Sequence, residues 1–204
     1  MFTAVRPWLQ LSDPAVNAYV DAAVGPAYFG SMTSDRLLDG VTTDVPADLF
    51  KAVMGSVCTP VSVVTAFDSD RPHGTTVSAF CSLSLTPPMV LVALDHGSVL
   101  LQVLRATRRF GLNVLSHEQD GIAGKFAVKG DDKFADVEWE ARSGAPHVVG
   151  AACWFACDVD ELIRGGDHTV VLGRVVDTDH ADLPPLTYHR RGFGTHAARP
   201  QKSA

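Results

Sequence analysis

Beyond residue 45 the chain alternates between short apolar runs and polar breaks, and the period of the apolar positions changes along the way. Leu49, Phe50, Val53 and Met54 recur at helical spacing after Pro46, which predicts a short helix. After it come the segments VSVVTAF (61–67), VSAFCSLSL (77–85), MVLVAL (89–94) and FGLNVL (110–115). Each is short, rich in Val, Leu or Phe and bounded by Gly, Pro or Asp, the pattern of strands. Segments 151–163 and 168–178 read the same way. In the latter, Val170, Leu172, Arg174 and Val176 alternate with Val171, Gly173, Val175 and Asp177, so both faces are largely apolar or small. Strands covered on both faces belong to a closed barrel or a sandwich.

Two helical stretches interrupt the strands. In 98–108, Ser98 stands at the cap position, and Leu100, Val103, Leu104 and Thr107 share a face. In 117–128 the apolar positions are Ile122, Phe126 and Ala127. Six or seven strands with three or four short helices, not in regular alternation, predict a mainly β, antiparallel barrel rather than a doubly wound parallel sheet. Residues 1–45 read as an arm. Within it, Val16, Tyr19, Val20, Ala23 and Val24 form an amphipathic stripe after Ser12-Asp13-Pro14, and Gly25-Pro26 ends it. The domain is expected over 46–195, with a basic tail at 196–204.

A chain of 204 residues buries roughly 70% of its unfolded surface and needs no disulfide or metal staple. Seventeen basic against 23 acidic residues give a net charge of −6, without the basic footprint of a nucleic-acid binder. No apolar run approaches the roughly 18 residues of a membrane span. The start, MFTAVRPWLQLSDP, lacks the apolar core of a secretory leader. Cys58, Cys81, Cys153 and Cys157 follow no ligand or framework spacing, so reduced thiols in a cytoplasmic protein are expected, with no metal site and no membrane partner.

P-loop, zincin and nucleophile-elbow motifs are absent. Gly192-Phe193-Gly194 mimics part of a dinucleotide fingerprint but follows no convincing strand and opens no long helix. Three polar clusters remain. Thr76, Ser78, Ser82 and Ser84 fall at even positions of one expected strand, a row of hydroxyls suited either to solvent or to a flat heterocycle with a ribityl chain. Asp95-His96-Gly97-Ser98 opens a helix, where backbone N–H groups can serve as a simple cap or hold a phosphate. Gly165-Gly166-Asp167-His168 is a turn that delivers a histidine onto a strand.

Taken together, six segments resemble the flavin reductase family, the short NAD(P)H:flavin oxidoreductases that supply reduced flavin to two-component monooxygenases. They are DLFKAVMGSVCTPVSVVTAF, GTTVSAFCSLSLTPPMVLVAL, RFGLNVLSHEQDGIAGKFA, DKFADVEW, GGDHTVVLGRV and PPLTYHRRGFG, in order across about residues 47–195. The resemblance implies a split β-barrel working as a homodimer, with FAD or FMN at the interface and NADH or NADPH as reductant. It implies that Thr76, Ser78, Ser82 and Ser84 line the flavin and that Ser98 sits near its phosphate. Asn113, Phe126 and Ala127 would border the flavin, and His168 would face the nicotinamide. The chain departs from the family pattern at Thr59-Pro60, Ser78 and Thr86, where Gly, Asn and Asp are usual, and at Arg190-Arg191-Gly192, where the glycine is shifted by one. A flavin-binding module without NAD(P)H oxidation, or a non-catalytic monooxygenase subunit, are the alternatives. Retention of Asp167-His168 favours the enzyme.

Overall fold

The computed structural model describes residues 45–130 and 132–198. The helix expected near 16–24 and the tail residues Arg199 and Lys202 lie outside them. The chain divides into two units, Met1–Pro46 and Ala47–Ala204, and the description below concerns the second.

Three helices, α1 (Ala47–Met54), α2 (Val99–Thr107) and α3 (Asp120–Ala127), accompany twelve strands. The main sheet holds β2 (Ser62–Asp68), β3 (Arg71–Val77), β4 (Phe80–Leu85), β5 (Pro88–Asp95), β6 (Arg109–Val114), β9 (Cys153–Gly165) and β10 (His168–His180). Their order is β3-β2-β6-β9-β10-β5-β4, antiparallel at every step. β3 and β4 stand at opposite ends of that order, yet only Ser78 and Ala79 separate them in sequence. Two residues span at most about 7 Å, so the two edges come together at that turn and the sheet curls into a barrel, split where β3 and β4 share no ladder. The N–H of Ala93 donating to the Ala79 carbonyl (2.9 Å) carries the β4–β5 ladder up to that turn. Closure is helped by register shifts between β9 and β10 at Leu172/Gly173 and Val175/Asp177, which bend the longest strands. At the first of these, a Cβ on Gly173 would stand 2.5 Å from the Phe110 ring, so only glycine lets β10 pass over that core side chain.

The expected barrel is thus the observed one, but the single strand expected over 77–85 is two strands broken at the seam. That break, and a further register shift between Ser82 and Ser84, corrects the row of hydroxyls: Thr76, Ser78, Ser82 and Ser84 do not share one strand face. A hairpin of β7 (Trp139–Arg142) and β8 (Ala145–Val148), and a small sheet of β1 (Thr59–Pro60), β11 (Leu186–His189) and β12 (Gly192–Thr195), complete the domain. The Gly192-Phe193-Gly194 stretch is a hairpin strand, not a phosphate loop.

Inside the barrel, Val64, Val92, Leu112, Phe110, Cys157 and Val171 pack against Leu100, Leu101, Val103 and Leu104 of α2, whose apolar face closes one end. A second cluster joins Val61, Val63, Leu115 and Leu186 to Ala123 and Phe126 of α3 and to Phe134. Phe126, Phe134 and Trp139 meet edge to face at 4.9 and 5.6 Å. Cys157 is fully buried, and burial, with the neighbouring Asp158 charge, pushes its thiol up to about 12. Only the thiolate is nucleophilic, so Cys157 is expected to stay unmodified by iodoacetamide at pH 8 in the native protein and to react after unfolding. Mass spectrometry of the native and denatured samples checks this; native modification of Cys157 would contradict it.

Candidate functional site

A cleft of about 540 Å³ opens where β3, the start of α2 and the end of α3 converge. Residues 71, 73 and 75 share a strand face, and Arg71, His73 and Thr75 all line the cleft. Between them Gly74 lets β3 lie against α3, for a Cβ there would come 2.6 Å from the Phe126 ring. Lys129 and Lys133 enter from the segment after α3. The ammonium of Lys133 donates to the carbonyls of Phe126 (3.0 Å) and Gly74 (3.3 Å), and burial lowers its pKa from the ordinary lysine range. Three cationic side chains therefore converge on one cleft, where Asp95 is the one lining carboxylate among the described residues.

Two further features mark the cleft as built for a polar ligand. Nε2 of His73 is buried and has no hydrogen-bond partner among the described residues. A buried polar atom is costly unless bonded, and this one belongs to a residue that lines the cleft. Ser98 opens α2 at the cap position, yet its hydroxyl makes no capping bond and stays available to a ligand.

His168 reaches the same region through the register of the sheet. It pairs across the ladder with Asp95, and the His96 N–H donates to the Asp167 carbonyl (3.0 Å), tying the turn before β10 to the loop before α2. Nδ1 of His168 lies 2.7 Å from Oδ1 of Asp167. The His168 imidazole holds the Asp167 carboxyl below the ordinary carboxylate range, chiefly through this hydrogen bond. An ionised carboxylate only accepts, so Nδ1 carries the proton and Nε2 points away as the free ring nitrogen. His168 is 43% exposed, open to an incoming molecule.

The expected site residues divide accordingly. Ser98 and Ala127 line the cleft. Phe126 is fully buried beneath Gly74 and does not itself line the cleft. Thr76 faces away from Thr75 and donates to the Ala123 carbonyl (2.7 Å), anchoring α3 to β3. Ser78 is exposed in the seam, and Ser82 and Ser84 lie on the edge strand β4, where Ser84 Oγ accepts from the Thr86 N–H. Asn113 is fully buried and spends its amide on Val63, Thr65, Pro146 and Val148, so it braces β6 against β2 and β8. Arg71, His73, Thr75 and Lys129 are cleft residues without a role in the sequence reading. Lys133 carried a signal only as part of the DKFADVEW segment.

An antiparallel split barrel with a cationic cleft and a carboxylate-braced histidine at its margin is a frame suited to an anionic ligand. Known proteins make this specific. The flavin reductase like domain matches residues 54–197. The reductase component of 4-nitrophenol 4-monooxygenase/4-nitrocatechol 2-monooxygenase from Rhodococcus opacus is 35% identical over 163 residues, covering 80% of this chain and 88% of that one. A Rhizobium meliloti relative is 38% identical over 143 residues, 69% of this chain and 46% of that longer one. The NADH:FAD oxidoreductase of Streptomyces globisporus, solved in complex with NAD and FAD fragments, superposes with a TM-score of 0.71 at 33% identity, over 74% of this chain and 92% of that one. The chain belongs to the flavin reductase family.

Proposed function

We infer that this chain catalyses NAD(P)H-dependent reduction of FAD or FMN and passes the reduced flavin to a partner monooxygenase. The observation that carries the reading is the cleft itself: an unpartnered, buried His73 Nε2 beside Arg71, Lys129 and Lys133, with Asp167-braced His168 at its margin. These residues fit a flavin nucleotide. The cations and the free Ser98 hydroxyl suit its phosphate, and His73 and Thr75 offer hydrogen-bonding groups to the ribityl chain or ring edge. When bound, flavin supplies an N5 atom able to accept hydride from nicotinamide C4.

What the protein adds is positioning. Hydride transfer between the two rings needs no strong acid or base, so the rate comes from holding two flat rings in near-attack geometry and keeping water out. Nε2 of His168, its ring orientation fixed through Nδ1 by Asp167, is placed to orient the carboxamide of the incoming nicotinamide. Edge strand β4 leaves Leu83 45% and Leu85 76% exposed next to Ser82 and Ser84. An apolar sheet edge of this kind calls for a cover, and a second copy of the chain is the occupant we propose. That homodimer would bring Ser82 and Ser84 to the interface; light scattering after size-exclusion chromatography tests it, with monomeric mass as the contrary result.

The test of the ligand assignment is His73→Leu. Without flavin, removing an unpartnered buried nitrogen should leave the melting temperature unchanged or higher. With flavin, the variant should bind about tenfold more weakly, the loss of one hydrogen bond of about 1.4 kcal/mol. Wild-type flavin affinity would show that His73 does not meet the ligand.

A further inference from the structure

A second cavity, of about 410 Å³, opens between α1 and the tip of the β11–β12 hairpin, and none of its lining residues lines the flavin cleft. Its volume falls within the roughly 300–1,000 Å³ of small-molecule sites. Lys51 on α1 and Arg190 and Arg191 on the hairpin tip line it, with Asp48 the one lining carboxylate among the described residues. Lys51 and Asp48 are 3.9 Å apart and both largely exposed, a pairing too weak and too solvated to neutralise the group. Among the described residues, neither arginine guanidinium has a hydrogen bond or ion pair.

The backbone at the tip makes this arrangement more than a solvated surface. His189 pairs with Gly192, so Arg190 and Arg191 are the two central residues of the hairpin loop. Both are left-handed, with φ of 47° and 64°. That is the conformation of a two-residue primed turn, which Asn-Gly or Gly-Gly adopts readily and a residue with a long side chain does not. Strain of this kind persists where the surroundings enforce it, and it collects at ligand-binding positions. Here the Arg190 N–H donates to the Gly55 carbonyl (2.8 Å), fixing the tip over the end of α1 so that both arginines face the same cavity as Lys51.

We propose that this cavity is a phosphate site, separate from the flavin cleft, that binds the phosphate monoester of a nucleotide or free inorganic phosphate. Arginine forks bind phosphate oxygens bidentately, and a lysine adds a point charge opposite them. The chain accepts an unfavourable turn in order to present two such forks where glycine would fold more easily.

The test is calorimetric titration of the full chain with adenosine 2′-monophosphate, adenosine 5′-monophosphate, inorganic phosphate and adenosine, for wild type and for Arg190→Asn/Arg191→Gly. Phosphate-bearing titrants should bind and adenosine should not. The double variant should bind at least about tenfold more weakly, while its melting temperature rises by roughly 2–4 °C as the turn strain is relieved. Flavin reduction with NADH should be unchanged, which separates this site from the cleft. A preference for the 2′-monophosphate assigns a nucleotide 2′-phosphate, as carried by NADPH; equal affinity for inorganic phosphate assigns the free ion. Absence of binding by every phosphate titrant, or full binding by the double variant, overturns the proposal. Lys51→Gln, on the opposite wall, should weaken the same titrants without raising the melting temperature.

Discussion

Asn113→Leu is expected to destabilise the fold by about 3 kcal/mol, because it strips a buried junction of its hydrogen bonds. The Asn113 amide donates to the Val63 carbonyl (3.1 Å) and Thr65 Oγ1 (3.2 Å), with the Pro146 carbonyl at 3.4 Å. Its oxygen accepts from the Val148 N–H at 2.8 Å. Thr65 Oγ1 donates in turn to the Pro146 carbonyl at 2.6 Å, so one side chain organises the meeting of β2, β6 and β8. Leucine matches the volume but leaves the Val148 N–H without a partner in a region closed to water, and each such group costs about 1–3 kcal/mol. Urea unfolding measures the loss. A wild-type midpoint would show that the junction relaxes or admits water, and that Asn113 has another purpose.

The largest expected effect on activity is at His168. His168→Ala should lower turnover about 100-fold, the penalty of losing orientation at a reacting pair, while flavin affinity changes little because His168 is not among the residues lining the cleft. Asp167→Asn should fall between the two, since an amide can still hold the ring but no longer favours one tautomer. The Asp167 carboxyl is lowered in the fold, so its contribution is present above the ordinary carboxylate pKa and is lost as the pH falls through the lowered value. The bracing of His168 by the Asp167 carboxylate should therefore be complete at neutral pH and be lost only in acid, below the ordinary carboxylate range. Stopped-flow reduction with saturating flavin separates the turnover term; unchanged turnover in His168→Ala would remove His168 from the site.

Much of the barrel was legible because its strands are short apolar runs with firm breaks. β2, β5, β6, β9 and β10 fall within two or three residues of the expected segments. The seam was not legible. VSAFCSLSL alternates well enough to pass for one strand, and the demand for a break at Ser78–Ala79 comes from closing a sheet whose edges are adjacent in sequence. The β7–β8 hairpin was missed for a different reason: WEAR and APHV are four residues each and too short to show a period.

The site was legible where the chemistry is local, as in Asp95–Ser98 and Asp167–His168, and hidden where it is assembled. Arg71 and His73 lie far from Lys129 and Lys133 in sequence, on the other side of α2, β6 and α3, and no spacing rule links them. Asn113 misled for the opposite reason. A lone Asn in an apolar strand looks like a ligand group, and only the three-strand junction around it shows that its hydrogen bonds are already spent. The Arg190-Arg191 turn breaks local turn chemistry outright, a conflict that sequence alone registers as a shifted glycine.

The most direct measurement is NADH and NADPH oxidation by the purified chain, followed by loss of nicotinamide absorbance, with FAD, FMN or riboflavin added and with no flavin. Oxidation that depends on added flavin, and that saturates with it, is the predicted result. No oxidation with any pairing of nicotinamide and flavin would contradict the reductase function.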